Sequence, residues 1–366
     1  MPSTMTTSEG TERLDEDRQV RRIQVTGRGS YIVSIPKHWV KEVGLSKGGR
    51  IEFSAQQNRG LLLAPFDGPK PDEEKSRCEL LLSPNVDPKT VVRKIISLYV
   101  VGYSTIEISS QSGNLPPSIR DTIREVARQK LVGTEVVTES SRSATLQVLL
   151  GFPQLLVPDA LRRMSSITGS MQQDAFQALA DRDSELAKQV VKTDDEIDRF
   201  SLYIIRQLKW AVQRPMLIGR IGLSSPVECL GYRIVTKTIE RSADHAARIA
   251  YHSLDFEKPL DAALLKDMKA LGEYSSKMMD SALRALFTVD YELAEKVLID
   301  KEKITGLESK LVDRVMKVKM SASELSGATL IFESLRRIGE YASDVAEVVL
   351  NLAVHKSVAR VTAELK

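Results

Sequence analysis

Four carboxylates draw attention by their spacing: Asp194 with Asp198, and Glu240 with Asp244. Each pair is four positions apart, which on an α-helix places both side chains on one face. Two such faces brought together crowd four negative charges, and that is unfavourable unless a cation neutralises them. An oxygen-rich donor set suits Mg, Mn, Ca or iron. His245, beside Asp244, could add a nitrogen ligand. The competing reading is an ordinary solvated helix face whose acids pair with Arg199, Arg241 and Arg248.

A second constellation is positive. From Arg18 to Arg50 there are eight Lys or Arg and a single acid, Glu42, a local net of +7 in a chain whose total is +3. The remainder of the chain is therefore acidic, at −4. Arg21, Arg22, Arg28, Lys37, Lys41 and Arg50 supply cations with almost no acid between them. Neutralising phosphates provides most non-specific DNA affinity, so a basic head on an acidic body points to a polyanionic partner. Charge alone would equally describe a solvated basic face.

Other chemistries find little support. None of the four histidines has a Glu three positions before it, as a di-metal helical-bundle oxidase would need. P-loop, GxSxG and GxGxxG motifs are absent, so no enzyme is expected. Cys78 and Cys229 are far apart, which argues against a disulfide framework or zinc finger and suits a reducing cytosol. Met1 to Asp17 is polar and acidic, without the apolar core of a signal peptide. No uninterrupted apolar run reaches the roughly 18 residues of a membrane span. The expectation is a cytoplasmic protein without membrane insertion. His252 and His355 are isolated. Trp39, Trp210 and the methionines Met164, Met171, Met268, Met278 and Met279 read as packing residues.

The elements that must position these groups follow from pattern. The 366 residues are 42% hydrophobic and only 5% aromatic, which suggests two or three domains with helix-rich packing. Residues 1–17 read as a disordered leader. In 18–66, strands at Ile23 to Val25 and Tyr31 to Ile35 flank a Gly27-Arg28-Gly29 turn. Pro36 opens a helix from Lys37 to Val43 and Gly44 closes it. A second hairpin joins Ile51 to Ser54 with Gly60 to Ala64 across Asn58-Arg59-Gly60. After a polar linker, Asp67 to Ser76, residues 77–151 read as βαβαββ, a small α/β unit with no ligand that can be named. From Pro158 the pattern is helical, in about six helices.

That helical region repeats itself. Glu185-Leu186-Ala187 returns as Glu292-Leu293-Ala294, and with the same offset of 107 Val190 matches Val297 and Ile197 matches Ile304. The stretch Glu240 to Ala246 returns as Arg336 to Ala342, at an offset of 96. Two copies of a three-helix unit fit this best.

Two resemblances sharpen these readings. Arg21 to Phe53, with its β run into Ile35-Pro36, short helix, Gly44-Leu45 stop and Lys47-Gly48-Gly49 turn, resembles the AbrB/SpoVT family of swapped-hairpin DNA-binding modules. The resemblance implies an obligate homodimer whose hairpins interlock into one small β barrel and present a basic face to double-stranded DNA. It makes Arg22 and Arg28 the foremost contacts, with Arg21, Lys37 and Lys41 beside them. Gly29-Ser30-Tyr31 makes a longer turn after Arg28 than many members have. A module this small cannot bury enough apolar surface alone, so dimerisation is also physically expected.

Pro158 to Val354 resembles the PhoU family of phosphate-uptake regulators, in which a D/E-x-x-x-D carboxylate pair recurs. The resemblance implies a pair of three-helix bundles, at 158–256 and 260–356, and a phosphate-transport or signalling protein as partner. It also implies a metal ion, divalent or iron-type (Fe, Mn, Mg or Zn), held by Asp194, Asp198, Glu240 and Asp244. The second copy departs: Lys301 and Thr305 stand for Asp194 and Asp198, and Arg336 and Glu340 for Glu240 and Asp244. One metal site at most is expected, in the first bundle, with Lys301 and Arg336 paired to Glu340 or Asp344. The expected fold is thus multidomain α+β: a swapped-hairpin barrel, a small α/β middle unit and an all-α pair of three-helix bundles. The expected function is transcriptional regulation of phosphate uptake. The alternative is an adaptor that does not bind DNA and modulates a phosphate transporter or signalling partner.

Overall fold

The structure is a computed structural model that describes residues 19–27, 29–55, 60–66, 77–149 and 155–364, with side chains as far as 354. The expected leader, Arg28, the Asn58-Arg59 turn, the Asp67 to Ser76 linker and the His355 side chain lie outside the described residues. By compactness the chain divides into Met1–Glu74 and Lys75–Lys366.

In the first unit, β1 (Gln24–Thr26) pairs antiparallel with β2 (Ser30–Ile32), Val25 opposite Tyr31. Helix α1 (Lys37–Glu42) follows Pro36, and Gly44 closes it at φ +70°, where the Leu45 amide donates to the Val40 carbonyl. A residue with a Cβ would be strained there. Strands β3 (Ile51–Ala55) and β4 (Leu61–Pro65) form a second antiparallel pair. None of the described residues in this unit is buried. Ile23, Val25, Tyr31, Phe53, Leu61 and Phe66 are each more than half exposed.

The second unit begins with a four-stranded sheet in the order β5-β6-β8-β7. Strand β5 (Arg77–Leu82) runs parallel to β6 (Thr105–Ser110), joined by helix α2 (Pro88–Val101); β6, β8 (Ser143–Val148) and β7 (Thr134–Glu139) pair antiparallel. Asp87 caps α2 by accepting from the Thr90 amide, Pro88 fills the first turn, and Gly102 ends the helix at φ +116°. Ile106, Ile108 and Leu146 point from the sheet into a core with Val91, Ile95 and Tyr99 of α2 and Ile119 and Ile123 of helix α3 (Pro117–Glu125). After Glu125 the helix widens into a π-helical turn, Val126–Lys130.

Six helices follow among the described residues: α4 (Val157–Asp181), α5 (Ser184–Gln213), α6 (Glu228–His252), α7 (Ala262–Thr288), α8 (Tyr291–Val315) and α9 (Ala322–Glu364). The first three pack on one another, as do the last three, and α6 lies along α9. One apolar core runs through all six. The repeat extends to the turns. Among the described residues, Arg182 and Val289, 107 positions apart, are the non-glycine residues with left-handed φ, at 58° and 52°. Each precedes an aspartate, Asp183 or Asp290, that caps the next helix. The left-handed backbone is costly for a β-branched valine, and both copies nevertheless keep it. Gly231 and Gly327, 96 positions apart, both sit at close approaches: a Cβ would meet Val348 Cγ1 at 2.7 Å in one and Asp255 Oδ2 at 3.0 Å in the other.

Candidate functional site

Helices α5 and α6 lie side by side, and the four predicted carboxylates influence one another across that seam. Burial, and then the charges of Asp244, Asp198, Glu240 and Asp195, push Asp194 up to about 7. Asp198 is raised by burial and by Glu240 and Asp195, against the opposing Lys130 and Lys237. Asp244 is raised by burial, Glu240 and Asp198, with Lys237 and Arg248 opposing. Glu240 is only 9% exposed. The sequence spacing of four therefore does gather these acids on one patch.

Two lysines answer the charge. Lys237, one turn before Glu240, forms an ion pair with it. Lys130, from the π-helical turn of the α/β unit, places its Nζ 2.5 Å from Asp195 Oδ1 and 3.9 Å from Asp198 Oδ2. Burial works against the Lys130 ammonium, but Asp195, Asp198 and Asp194 outweigh it and hold its pKa above the ordinary lysine value. Among the described residues no three His, Cys, Asp or Glu side chains are gathered as a finished metal site. The donor set nevertheless fits a hard cation. The oxygens are carboxylates, and Asp194 Oδ1 is buried without a hydrogen-bond partner. His245 does not join them. Its ring lies against Tyr341 of α9, with Nε2 3.4 Å from the phenol oxygen. Burial, and then Arg248, lower its pKa to about 4 and keep it neutral.

The second repeat closes the equivalent seam with arginine. Arg336 pairs with Glu340, and its Nε lies 3.2 Å from Glu308 Oε1. Arg337 reaches Glu340 at 3.1 Å. Lys301 acts on Asp344, opposing the upward push of burial and Glu347. The expected Arg336–Glu340 pairing is present; Glu308, on α8, had not been singled out in the sequence. Neither had Lys130, Asp195 or Lys237. The Lys237-x-x-Glu240 spacing carried a signal, whereas Lys130 meets Asp195 across 65 positions of chain.

In the first unit, Arg21, Arg22, Lys37 and Lys41 are all exposed. Arg21 donates to Gln19 Oε1 at 2.5 Å. Lys37 and Lys41, four apart on α1, share a face. Arg50 stacks over Phe66, 4.4 Å from the ring centroid.

This architecture defines a duplicated three-helix repeat protein, with one acidic and one self-neutralised seam, that carries a small α/β unit and a basic strand module. More particularly, the chain carries two copies of the PhoU domain, matched at residues 161–252 and 268–349, and residues 24–72 match the family described as antidote-toxin recognition MazE, bacterial antitoxin. It is 27% identical over 199 residues to the phosphate-specific transport system accessory protein PhoU homolog of Pseudomonas aeruginosa, covering 52% of this chain and 80% of that protein. The Thermotoga maritima PhoU homolog 1 is 25% identical over 208 residues, covering 56% of this chain and 88% of the relative. The crystal structure of PhoU from Pseudomonas aeruginosa aligns with a TM-score of 0.48 at 23% identity, covering 54% of this chain and 96% of that one.

Proposed function

We propose that this protein is a cytoplasmic transcriptional regulator of phosphate uptake, binding double-stranded DNA through a homodimeric basic head and relaying phosphate status through its first helical repeat. The observation that carries the head's role is the lack of any buried residue among those described in the first unit, combined with its exposed apolar and basic side chains. Interlocking two copies would cover Ile23, Val25, Tyr31 and Phe53 and set two copies of Arg21, Arg22, Lys37 and Lys41 on one assembly. Arg28, by its sequence position, would join them. The names of the relatives, accessory proteins of a phosphate-specific transport system, support phosphate transport or its signalling as the process served. Among the described residues no helix is long and apolar enough to cross a membrane.

In this reading Asp194, Asp198, Glu240 and Asp244 would hold one metal ion, Fe, Mn, Mg or Zn. When bound, the ion supplies positive charge that lets the four carboxylates ionise together. The residues' own part is to fix the seam between α5 and α6, so that occupancy and helix packing are linked.

A second reading follows from the antitoxin match at 24–72: the head dimerises and engages a protein, and the chain works as an adaptor to a phosphate transporter or signalling partner. DNA binding measured against salt separates the two. With eight cations of the dimer on phosphates, affinity for a phosphate-transport promoter should fall roughly a thousandfold or more between 50 and 200 mM salt. Arg22→Ala with Lys37→Ala should flatten that dependence. Absent binding, or binding indifferent to salt and to both substitutions, would leave the adaptor.

A further inference from the structure

The α/β unit is fastened to α5 along one stripe of that helix. Arg206 donates to the carbonyl oxygens of Tyr99, Tyr103 and Gly102 at the end of α2, the latter two at 3.0 and 3.2 Å, and stacks over Tyr99. Cationic groups are favoured at a helix C-terminus, where unpaired carbonyls accumulate. Leu202, one turn earlier, packs against the core of the α/β unit. Asp198 and Asp195 continue the stripe and meet Lys130. The lysine is held at this seam by its neighbours: Leu131 is buried in the α/β core, while Val132 packs against the helical core. The π-helical turn thus presents Lys130 to the edge of the acidic patch from a fixed base.

Charge then limits what else the patch accepts. Asp194, Asp195, Asp198, Glu240 and Asp244 are five carboxylates. Lys130, Lys237 and Arg248 oppose them, so that with all five ionised two negative charges are left uncompensated. We infer that Lys130 is the resident countercation of this patch, limiting it to a single divalent ion and making metal binding compete with the seating of the α/β unit on α5. The inference rests on the metal reading proposed above and deepens it. Asp198 is shared by both interactions: its carboxylate lies 3.9 Å from Lys130 Nζ, and the charge of Glu240 on α6 acts on it. An ion that draws Asp198 toward Glu240 and Asp244 weakens the hold on Lys130, and the coupling is reciprocal.

The test is Mn²⁺ titration by calorimetry of the full-length chain, wild type against Lys130→Gln and Lys130→Arg. Removing one cation a few ångströms away should tighten Mn²⁺ binding about tenfold, while Lys130→Arg, which keeps the charge, should match wild type. Wild type should take up one ion per chain. Amides of residues 126–132 should exchange faster when Mn²⁺ is added, and in chelator Asp195→Asn should speed them likewise. Equal affinity of Lys130→Gln and wild type overturns the inference while the metal reading stands. So does uptake of two or more ions at the patch in wild type. No uptake by wild type, Lys130→Gln or the Asp194→Ala, Asp198→Ala double variant overturns both.

Discussion

The first and second helical repeats share their turns and their core but carry different charges in the seam between their second and third helices. The left-handed residues Arg182 and Val289, the caps Asp183 and Asp290, and the buried pairs Ile197 and Ile304 or Val190 and Val297 occupy matching positions. In the first seam, burial and the neighbouring carboxylates raise the proton affinity of Asp194, Asp198 and Asp244. In the second, Lys301 and Arg336 take two of those places, and Arg336 draws Glu308 and Glu340 to itself. The lesson is that apolar periodicity fixes where a seam lies, while a few polar positions decide whether arginine closes it or carboxylates crowd it.

The sharpest way to break this comparison is to remove acids from one seam and their counterparts from the other. The Asp194→Ala, Asp198→Ala double variant should lose Mn²⁺ binding by at least about a hundredfold, since two of four like-charged donors vanish. Lys301→Ala with Thr305→Ala should leave that binding unchanged. Metal analysis of the purified proteins, with calorimetry, reads both. Equal loss in the two variants would mean that binding does not reside in the first seam.

A smaller effect is expected on stability. Arg336→Ala leaves Glu308 and Glu340 without their shared cation. Because these groups are partly exposed, the cost should be about 1–2 kcal/mol in denaturant unfolding, well below that of breaking a fully buried pair. Lys237→Ala in the first seam should lose a similar amount in chelator, because Glu240 is nearly buried. The two should then part company: added Mn²⁺ should restore Lys237→Ala and do nothing for Arg336→Ala. Recovery of both, or of neither, would erase the distinction between the seams.

Much of this was legible in the sequence, for reasons that particular residues make plain. Asp87, Pro88 and Gly102 bracket α2, and the structure bounds it at Pro88–Val101 as their chemistry dictates. The offset-107 matches at Ala187, Val190 and Ile197 fell on buried helix positions because burial is what keeps such residues apolar. The seam acids were visible because spacing of four is local information. Three features were not. At Arg182 and Val289 the aspartate that follows marks a helix break, but neither residue is a glycine, so nothing local marked the left-handed backbone. The π-helical turn at Val126–Lys130 breaks the helical period for five residues only. Lys130's place at the patch depends on how two parts of the second unit pack, which no spacing encodes. In the first hairpin the first strand is shifted by one residue, to Gln24–Thr26, and the second was overextended: it is Ser30–Ile32, shorter than the β-branched run through Ile35 suggests, and the described residues of that unit offer no buried side to hold it.

The smallest effect expected concerns protons and needs the metal removed. Asp194 holds its proton to about pH 7 in the folded chain, against roughly 3.9 for an exposed aspartate. The folded state therefore binds more protons than the unfolded one between those values, and stability falls as pH rises through that window. Asp194→Asn abolishes this linkage. In chelator the variant should exceed wild type at pH 8 by about 1 kcal/mol, a figure reduced from the full shift because the group is only half-buried. Near pH 3, below both values, the two should converge, as Asp194 becomes neutral in both states. The counterpart substitution Lys301→Asn should show no such pH-dependent gain. Denaturant unfolding at the two pH values decides it: a gap between Asp194→Asn and wild type that does not change with pH would mean that the acids of the first seam do not repel one another, and the contrast with the arginine-closed second seam would lose its electrostatic basis.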